Sequence, residues 1–318
     1  MIKFPKRLEK GSTVGVICPC SAITAEQEKK CREVLEKMGF RVKMADNLTA
    51  DYAGYMAGTG KIRAQWINRM FADPEVDAVF CARGGDGCGR VVEYLDLDLI
   101  KANPKIFVGY SDVTTFHLLF NQVCSMGTFH GPMVSSNMID AFDEESEAAF
   151  WDALTCSGDY VYKNPIGFPV KVLREGRARG VVTGGNLALL SASMGTPYEV
   201  DTRGKIFFIE EINETGNRLE RMVYQLKNAG KFRDSAGILL GQFTDCDNKP
   251  MPEYDAICCF RDALEDYDGP VLYNLQTGHG EKHITIPLGA ECNMDTKNRR
   301  ILFHMEREST DKKECIGK

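Results

Sequence analysis

The chain has 318 residues, of which 43% are hydrophobic and 26% are charged, and its formal net charge is −6 at pH 7. A hydrophobic content in the globular range excludes a disordered or collagen-like chain, and the length suits roughly two domains of about 150 residues. Net acidity without a basic block argues against nucleic acid or an anionic membrane as the main partner. No apolar run approaches the ~18 residues of a membrane span, and the charged start, interrupted by Pro5, is unlike a signal peptide, so we expect a cytoplasmic protein.

Twelve cysteines are scattered along the chain without any Cys-x-x-Cys pair. Cys18 and Cys20 flank a proline, and Cys258 and Cys259 are adjacent, so neither pair has the spacing of a zinc site. In a chain without a secretory signal, we interpret the cysteines as reduced, mostly buried small apolar side chains. We therefore expect neither a disulfide framework nor a bound metal.

The first half of the chain alternates strand-like and helix-like patterns. An apolar run at 14–18 is followed by a Thr24-x-x-Gln27 capping box that opens a helix, and Gly39 supplies the C-terminal stop of that helix. Further strands are predicted at 41–45, 76–82, 105–110 and 128–130, and further helices at 62–71, 89–95 and 113–123. Repeated strand–helix units predict an α/β fold, a mostly parallel sheet of the Rossmann or flavodoxin type with helices on both faces. In such a sheet the ligand site lies beyond the carboxyl ends of the strands.

The second half is more mixed. The segment 155–174, which carries several turn signals, is interpreted as the connection between two domains, 1–155 and 175–318. Strands are predicted at 205–209 and 237–241 with a helix between them that carries Leu219, Met222, Val223 and Leu226. The end of the chain alternates at 284–288 and again at 299–305, with a hairpin-like turn at 295–298.

A glycine-rich loop, Arg-Gly-Gly-Asp-Gly-Cys-Gly-Arg at 83–90, directly follows a predicted strand. Glycines in this position allow backbone N–H groups to face outward at a helix N-terminus, which suits an anion or an oxyanion. A dinucleotide fingerprint fails at Arg90, and a P-loop would need a Lys and a Ser or Thr that are absent here. A plain strand-to-helix turn is the alternative, although four glycines in six residues exceed what such a turn needs.

Another predicted strand ends abruptly at Ser111, which is followed by a helix. This is the arrangement of a nucleophile elbow, although Val113 takes the place of the second glycine in G-x-S-x-G. The alternative is a helix cap, because Ser is favoured there and the acid Asp112 suits the positive helix end.

A serine nucleophile needs a base, normally His, and a group that orients the base. His279 lies in a Gly-His-Gly loop that could hold an imidazole in an open cleft or simply expose it to solvent, and His130, at a strand end, is a rival. The pair Glu210 and Glu211 follows a predicted strand and could orient a His, although paired Glu side chains are usually solvated. The remaining histidines are interpreted as structural: His117, His283 and His304.

Five motifs in this chain resemble, in order and spacing, those of the LD-carboxypeptidase family of serine peptidases. They are Arg-Gly-Gly-Asp-Gly at 83–87, Gly-Tyr-Ser-Asp at 109–112, Gly-Gly-Asn-Leu at 184–187, Phe-Ile-Glu-Glu at 208–211 and Gly-His at 278–279. The resemblance extends over nearly the whole chain. It implies an α/β N-terminal domain that carries the nucleophile, a smaller β-rich C-terminal domain that carries the rest of the triad, and a homodimer.

The resemblance also implies the catalytic residues. Ser111, Glu210 and His279 would form a Ser-Glu-His triad, and the backbone N–H groups of Gly85 and Asp112 would form the oxyanion hole. The family includes muramoyltetrapeptide carboxypeptidases, whose substrate is a small murein peptide, and microcin C immunity peptidases. No cofactor or metal is implied.

The chain departs from the family pattern at one position of the glycine-rich loop, where Asp86 stands in place of the usual Tyr. Chain length and the Gly-Gly-Asn-Leu segment favour an enzyme that releases terminal D-alanine from murein tetrapeptide during peptidoglycan recycling. The alternative within the family is an immunity peptidase that cleaves a peptidyl-nucleotide amide. Two alternatives from another class stay open: a nucleotide- or phosphate-binding protein that uses the loop at 83–90, and a non-catalytic sugar or peptide binder.

Overall fold

The computed structural model describes residues 2–307 and contains two β-sheets with flanking helices. The strands are β1 (Thr13–Ile17), β2 (Arg41–Met44), β3 (Ala78–Cys81), β4 (Ile106–Gly109), β5 (Thr128–His130), β6 (Asp159–Tyr162), β7 (Lys171–Arg174), β8 (Arg177–Asn186), β9 (Ile206–Ile212), β10 (Gly237–Thr244), β11 (Val271–Tyr273), β12 (Ile286–Leu288), β13 (Glu291–Asp295) and β14 (Arg300–His304). The α-helices are α1 (Ala25–Lys37), α2 (Gly60–Ala72), α3 (Leu97–Ala102), α4 (Thr114–Gln122), α5 (Ile139–Ala141), α6 (Glu144–Thr155), α7 (Leu187–Ala192), α8 (Gly216–Asn228) and α9 (Ala256–Ala263).

The first sheet has the strand order β12-β5-β4-β3-β1-β2, and its five N-terminal strands are parallel. The order β2-β1-β3-β4-β5 is that of flavodoxin-like sheets, in which the direction of winding reverses between β1 and β3. The predicted α/β fold with a mostly parallel N-terminal sheet is therefore confirmed. Ligands of such sheets bind at the carboxyl ends of the strands beside this reversal, where the loops after β1 and β3 lie.

The second sheet has the order β6-β14-β13-β8-β9-β10-β11-β7 and confirms the expectation of a separate β-rich part of the chain. Its centre, from β8 to β11, is parallel, and antiparallel strands flank it on both sides. The two edge strands, β6 and β7, lie within the segment 155–174, which the sequence interpretation treats as a connection. In β6 the side chains alternate between exposed and buried, so Tyr160 and Tyr162 face the core of the protein.

One predicted helix differs from the structure, and the structure shows how the predicted turn and strand near the end of the chain are paired. The predicted helix at 89–95 is a pair of short 3₁₀ turns, Cys88–Arg90 and Val92–Tyr94. The predicted turn at 295–298 joins a hairpin that consists of β13 and β14. The alternating segment 284–288 contains β12, which crosses to the first sheet and pairs with β5.

Helix α4 links the two sheets and supports the segment that follows β4. It contacts β5 in the first sheet and β8 in the second, and the eight residues from Thr114 to Asn121 are all buried. Gly185 of β8 comes so close to this helix that a Cβ atom there would lie 2.5 Å from Thr114 Oγ1. The backbone N–H of Asn186 also donates to Thr114 Oγ1 at 3.0 Å. The start of α4 is therefore held rigidly between the two sheets.

Other predictions of local structure agree with what is observed. The capping box of α1 is present, because Thr24 Oγ1 accepts from the Gln27 N–H while Gln27 Oε1 accepts from the Thr24 N–H. Nine of the eleven cysteines in residues 2–307 are buried, and these eleven form no disulfide. Among the described helices, none is both long and apolar enough to cross a membrane.

Candidate active site

Ser111 lies two residues after the end of β4, in a strained backbone conformation. Its φ angle is +66°, in the left-handed region that a non-glycine residue seldom adopts without a structural reason. Tyr110, in extended conformation, precedes the short 3₁₀ turn Ser111–Val113, so Ser111 is the first residue of that turn and not its cap. The helix-cap alternative is therefore wrong. A sharp strand-to-helix turn is the geometry that exposes a nucleophilic side chain.

The glycine-rich loop after β3 lies against Ser111. A Cβ atom on Gly84 would be 3.0 Å from Ser111 Cβ and 3.3 Å from Ser111 Oγ, so a larger residue would press on the serine. Gly85 has φ +110°, and a Cβ atom there would lie 2.0 Å from Ser21 Oγ in the loop after β1. The glycines thus permit the close approach of three loops, which a plain turn would not need.

Asp112 joins the turn at Ser111 to the glycine-rich loop. Its side chain is 6% exposed, and Asp112 Oδ2 accepts a hydrogen bond from the Cys88 N–H at 2.7 Å. Burial raises the pKa of Asp112, although the hydrogen bond from Cys88 opposes that effect. This link fixes the backbone around Asp112, whose N–H is one of the two donors expected for an oxyanion.

Glu210 and His279 form a hydrogen-bonded pair. His279 Nδ1 lies 2.7 Å from Glu210 Oε2, the Glu210 side chain is fully buried, and the imidazole is 11% exposed. Gly278 makes this approach possible, because its φ is +139° and a Cβ atom there would lie 2.8 Å from Glu210 Oε2. Burial alone would lower the pKa of His279, but the charge and hydrogen bond of Glu210 outweigh it and raise that pKa above its ordinary value. The carboxylate therefore favours a charged imidazole.

The aromatic ring of Tyr110 connects the pair to the strained turn. Its centroid lies 4.7 Å from that of His279, in an edge-to-face arrangement. Because Tyr110 directly precedes Ser111, the imidazole and the serine belong to the same small region at the carboxyl edge of the first sheet. Burial raises the pKa of Tyr110 to about 12, so its hydroxyl stays protonated at neutral pH.

Glu211 supports the site, and the alternative in which Glu210 and Glu211 are a solvated surface pair is wrong, because both side chains are buried. The Glu211 carboxylate accepts hydrogen bonds from Asn186 Nδ2 at 2.8 Å and from the Ala188 N–H at 2.7 Å, at the start of α7. Burial raises the pKa of Glu211 to about 7, although these hydrogen bonds act to lower it. Sequence reasoning missed the roles of Asn186 and Glu211, although the Gly-Gly-Asn-Leu segment was the available signal.

The other histidines lack the features of a base. His130 and His283 are buried, and their ring nitrogens have no hydrogen-bond partner in the described part of the chain. Burial lowers the pKa of both, that of His283 to about 3, so they stay neutral. His117 is held by Thr128 and a backbone carbonyl, and the exposed His304 pairs with a surface aspartate. Of His130 and His279, the two candidates for the base, only His279 has a carboxylate partner in the described residues.

Comparison with known proteins gives a consistent result. The family models described as the LD-carboxypeptidase N-terminal domain and C-terminal domain match residues 14–131 and 179–294. The probable murein peptide carboxypeptidase of Bacillus subtilis (strain 168) is 39% identical, over 94% of this chain and 93% of the relative. The structure of the microcin C7 self-immunity protein MccF with glutamyl sulfamoyl guanosine has a TM-score of 0.88 at 26% identity, covering 96% and 99% of the two chains.

A solved muramoyltetrapeptide carboxypeptidase, from Oxalobacter formigenes, has a TM-score of 0.81 at 25% identity and covers 94% of this chain and 100% of that structure. A doubly wound sheet with a serine on a strained turn, near a buried Glu–His pair, is typical of serine hydrolases. Within the serine hydrolases, the two domain matches and the Bacillus relative identify one family. The chain belongs to the LD-carboxypeptidase family, and the protein is a serine carboxypeptidase.

Proposed function

We propose that this carboxypeptidase releases the terminal D-alanine from murein tetrapeptide, by hydrolysing the bond that joins L-Lys or diaminopimelate to D-Ala. The names of the Bacillus and Oxalobacter proteins support this substrate class. The observation that carries the catalytic part of the proposal is the 2.7 Å hydrogen bond between Glu210 and His279 in a buried site next to the turn at Ser111.

In the proposed mechanism, Ser111 Oγ attacks the carbonyl carbon of the scissile bond. His279 takes the serine proton and later gives it to the amine of the departing D-alanine, and water then hydrolyses the acyl-enzyme. Glu210 holds the imidazole in the tautomer that presents Nε2 as the base, and it stabilises the imidazolium that forms.

The negative charge that develops on the carbonyl oxygen needs hydrogen-bond donors. We propose the backbone N–H groups of Gly85 and Asp112, each of which contributes about 3–4 kcal/mol to transition-state stabilisation in comparable sites. The positive φ of Gly85 and the hydrogen bond from Cys88 to Asp112 support this assignment, because both restrain the backbone that carries the donors. Preformed donors lose no energy to reorganisation during the reaction.

A second candidate is a peptidase of the immunity type that cleaves an aminoacyl-nucleotide amide. The MccF structure favours it, because that protein is similar over nearly the whole chain and was solved with an aminoacyl-nucleotide analogue. The chain is 39% identical to the Bacillus murein peptide carboxypeptidase but 28% identical to the immunity protein MccF of Escherichia coli, and this difference leads us to prefer the murein peptide.

Mass spectrometry tests the proposal directly. Incubation of murein tetrapeptide with the protein should yield the tripeptide and free D-alanine, and the Ser111→Ala protein, prepared identically, should yield neither. Cleavage of an aminoacyl sulfamoyl nucleotide with no tripeptide formation would select the immunity-type activity. Tight retention of a nucleotide by both proteins without cleavage would select a binding protein.

We further propose that the enzyme acts in the cytoplasm as a homodimer, as the family resemblance implies. Fractionation of cells followed by immunodetection tests the location. Light scattering on the purified protein tests the assembly, with a mass near twice the 35.5 kDa of one chain expected.

A further inference from the structure

Two cysteines from distant parts of the chain meet behind the glycine-rich loop. Cys20 follows β1, and Cys88 begins the 3₁₀ turn at the end of the glycine-rich loop. Their Sγ atoms lie 2.9 Å apart although 68 positions separate them in the sequence. Both side chains are 0% exposed. The separation is shorter than ordinary contact between two sulfur atoms and longer than the roughly 2.0 Å of a disulfide bond. The two thiols therefore need to move by only about 1 Å to form a covalent bond.

The surroundings of this pair favour a disulfide over a bound metal ion. Asp112 is the third potential ligand, and no fourth His, Cys, Asp or Glu in residues 2–307 completes the cluster. Thiolates on a tetrahedral zinc ion stand about 3.8 Å apart, given Zn–S bonds of about 2.3 Å, and structural zinc takes four ligands. The buried guanidinium of Arg63 also donates to the carbonyls of Pro19 and Gly87, beside the two cysteines, where a second cation would be repelled.

We propose that Cys20 and Cys88 are a modification site at which a peroxide forms a disulfide bond and thereby slows the enzyme. The Cys20 thiolate attacks one oxygen of hydrogen peroxide, which gives a sulfenic acid and hydroxide. The Cys88 sulfur then attacks the sulfenic sulfur, forms the S–S bond and expels the sulfenic oxygen as water. In total, two thiols and one hydrogen peroxide give one disulfide and two water molecules.

Access to the pair requires local opening of the loop, not unfolding of the protein. Gly85, Asp86 and Gly89 are exposed, so loop residues on both sides of Cys88 in the sequence contact solvent. The Cys88 side chain itself is buried. Burial raises the pKa of Cys20 to about 11, against the lowering effects of the Cys88 hydrogen bond and of Arg63. Because the thiolate is the reactive species, the oxidation should be slow at neutral pH and should accelerate as the pH rises.

The disulfide would disturb the site through two contacts. Next to Cys20, the Ser21 N–H donates to the Gly84 carbonyl at 3.1 Å, and Ser21 Oγ lies in the space beside Gly85. On the other side, the Cys88 N–H donates to Asp112. A shift of about 1 Å in either cysteine therefore moves the backbone near Ser111, and a misplacement of that size can reduce a rate by up to about 100-fold.

Peptide mapping of the full-length protein tests the modification without relying on any activity. After treatment with hydrogen peroxide, alkylation and proteolysis without reductant should give a cross-linked peptide that contains Cys20 and Cys88, and dithiothreitol should abolish it. The yield after a fixed time should increase from pH 7 to pH 8. Thermal unfolding should shift to a higher temperature, because the bond closes a long loop of the unfolded chain.

The effect on catalysis is measured in parallel and depends on the proposed function. Peroxide should lower D-alanine release at least tenfold and dithiothreitol should restore it, whereas Cys20→Ser and Cys20→Ala proteins, which lack the thiol that peroxide attacks first, should keep their own initial rates after treatment. The control is Cys258→Ser, which removes a partly exposed cysteine on α9 and should leave the protein as sensitive as the wild type. If the protein releases no D-alanine at all, the mapping result still decides the modification.

Three results would overturn the inference. The first is that Cys20 and Cys88 both remain free to alkylate after denaturation while other cysteines have been oxidised. The second is a disulfide that joins either residue to another cysteine, such as Cys18. The third is about one equivalent of zinc in the purified protein that is lost when Cys88 is replaced, which would assign the cluster to a metal.

Discussion

The fully buried carboxylate of Glu210 lies 2.7 Å from His279 Nδ1, while the imidazole retains an exposed edge. A carboxylate in this position, removed from water, acts on the imidazole with little screening. The other buried histidines, such as His130 and His283, have lowered pKa values, and His279 alone of these three has a raised one. The raised pKa of His279 therefore results mainly from the charge and hydrogen bond of Glu210, with a smaller contribution from the charge of Glu211.

The first prediction concerns the pH dependence of kcat/KM. A base must be neutral to accept a proton, so activity should fall as the pH drops through the pKa of His279, and the midpoint of this fall should lie above the ordinary value of 6.5. Glu210→Gln should move the midpoint to lower pH, because burial then acts without the opposing charge. Glu281→Gln, which changes an exposed carboxylate two residues from His279, should leave it in place. An equal shift in both proteins would mean that general surface charge sets the pKa.

The second prediction concerns Ser111 and His279, two of the three proposed catalytic residues. Ser111→Ala and His279→Ala should each lower kcat by about 10⁴-fold or more, and the double variant should be hardly worse, because the two residues act as one unit. His130→Phe is the control, since the ring nitrogens of His130 have no partner in residues 2–307 and a phenyl ring should retain the packing. That variant should keep activity within about threefold. An inactive His130→Phe protein with an intact fold, together with an active His279→Ala protein, would assign the base to His130.

The third prediction concerns the glycine-rich loop. Gly84→Ala should lower kcat/KM about tenfold or more, because the added Cβ presses against Ser111, with little change in thermal stability. Gly89→Ala, in the same loop, adds a methyl group with no atom within 4 Å and should behave as the wild type. Equal losses in both variants would indicate a general sensitivity of the loop and not contact with the serine.

The fourth prediction concerns Glu211 and the free energy of unfolding. Glu211→Ala leaves Asn186 Nδ2 and the Ala188 N–H without their acceptor, and should cost about 2–4 kcal/mol in urea unfolding. Glu220→Ala, on the exposed face of α8, should stay within about 0.5 kcal/mol of the wild type.

The loss of unfolding free energy caused by Glu211→Ala should become smaller as the pH rises. Folding raises the pKa of Glu211 from 4.5 to about 7, so its stabilising contribution is complete below pH 4.5 and declines as the pH rises through about 7. The difference in the free energy of unfolding between the wild type and Glu211→Ala should therefore become smaller between pH 4.5 and about pH 7. A widening difference would show that the ionised carboxylate is the form that the folded protein favours.

Much of the fold and of the candidate site follows from local sequence patterns. Alternating apolar runs and helical stripes predict the parallel sheet, because each unit must bury an apolar face against its neighbours. The loops at Ser111, Gly84 and His279 were recognisable because glycine beside a polar residue at a strand end has few structural explanations. The family resemblance then related these loops, which are far apart in the sequence, to one another.

Other features depend on contacts that no local pattern contains. The burial of Glu211 results from Asn186, 25 positions earlier, and a Glu-Glu pair by itself is typical of a solvated surface. Strand β8 contains Gly184 and Gly185 near its end, with φ angles of +134° and +142°, so its sequence pattern is unlike that of a strand. The residues alone left His130 and His279 open as bases and only the family resemblance favoured His279, because the contact between His279 and Glu210 joins residues 69 positions apart.

The most direct test of the account is the rate of D-alanine release from a tetrapeptide that ends in L-Lys-D-Ala or diaminopimelyl-D-Ala. The comparison peptides, at matched concentration, are the L-Ala counterpart, the C-terminal amide and the pentapeptide that ends in D-Ala-D-Ala, with release of the terminal residue measured for each. Groups placed for one configuration and for a free carboxylate stabilise only the matching transition state, so the tetrapeptide should react about 100-fold faster than the others. Equal rates for the D-Ala and L-Ala tetrapeptides would contradict the proposed specificity.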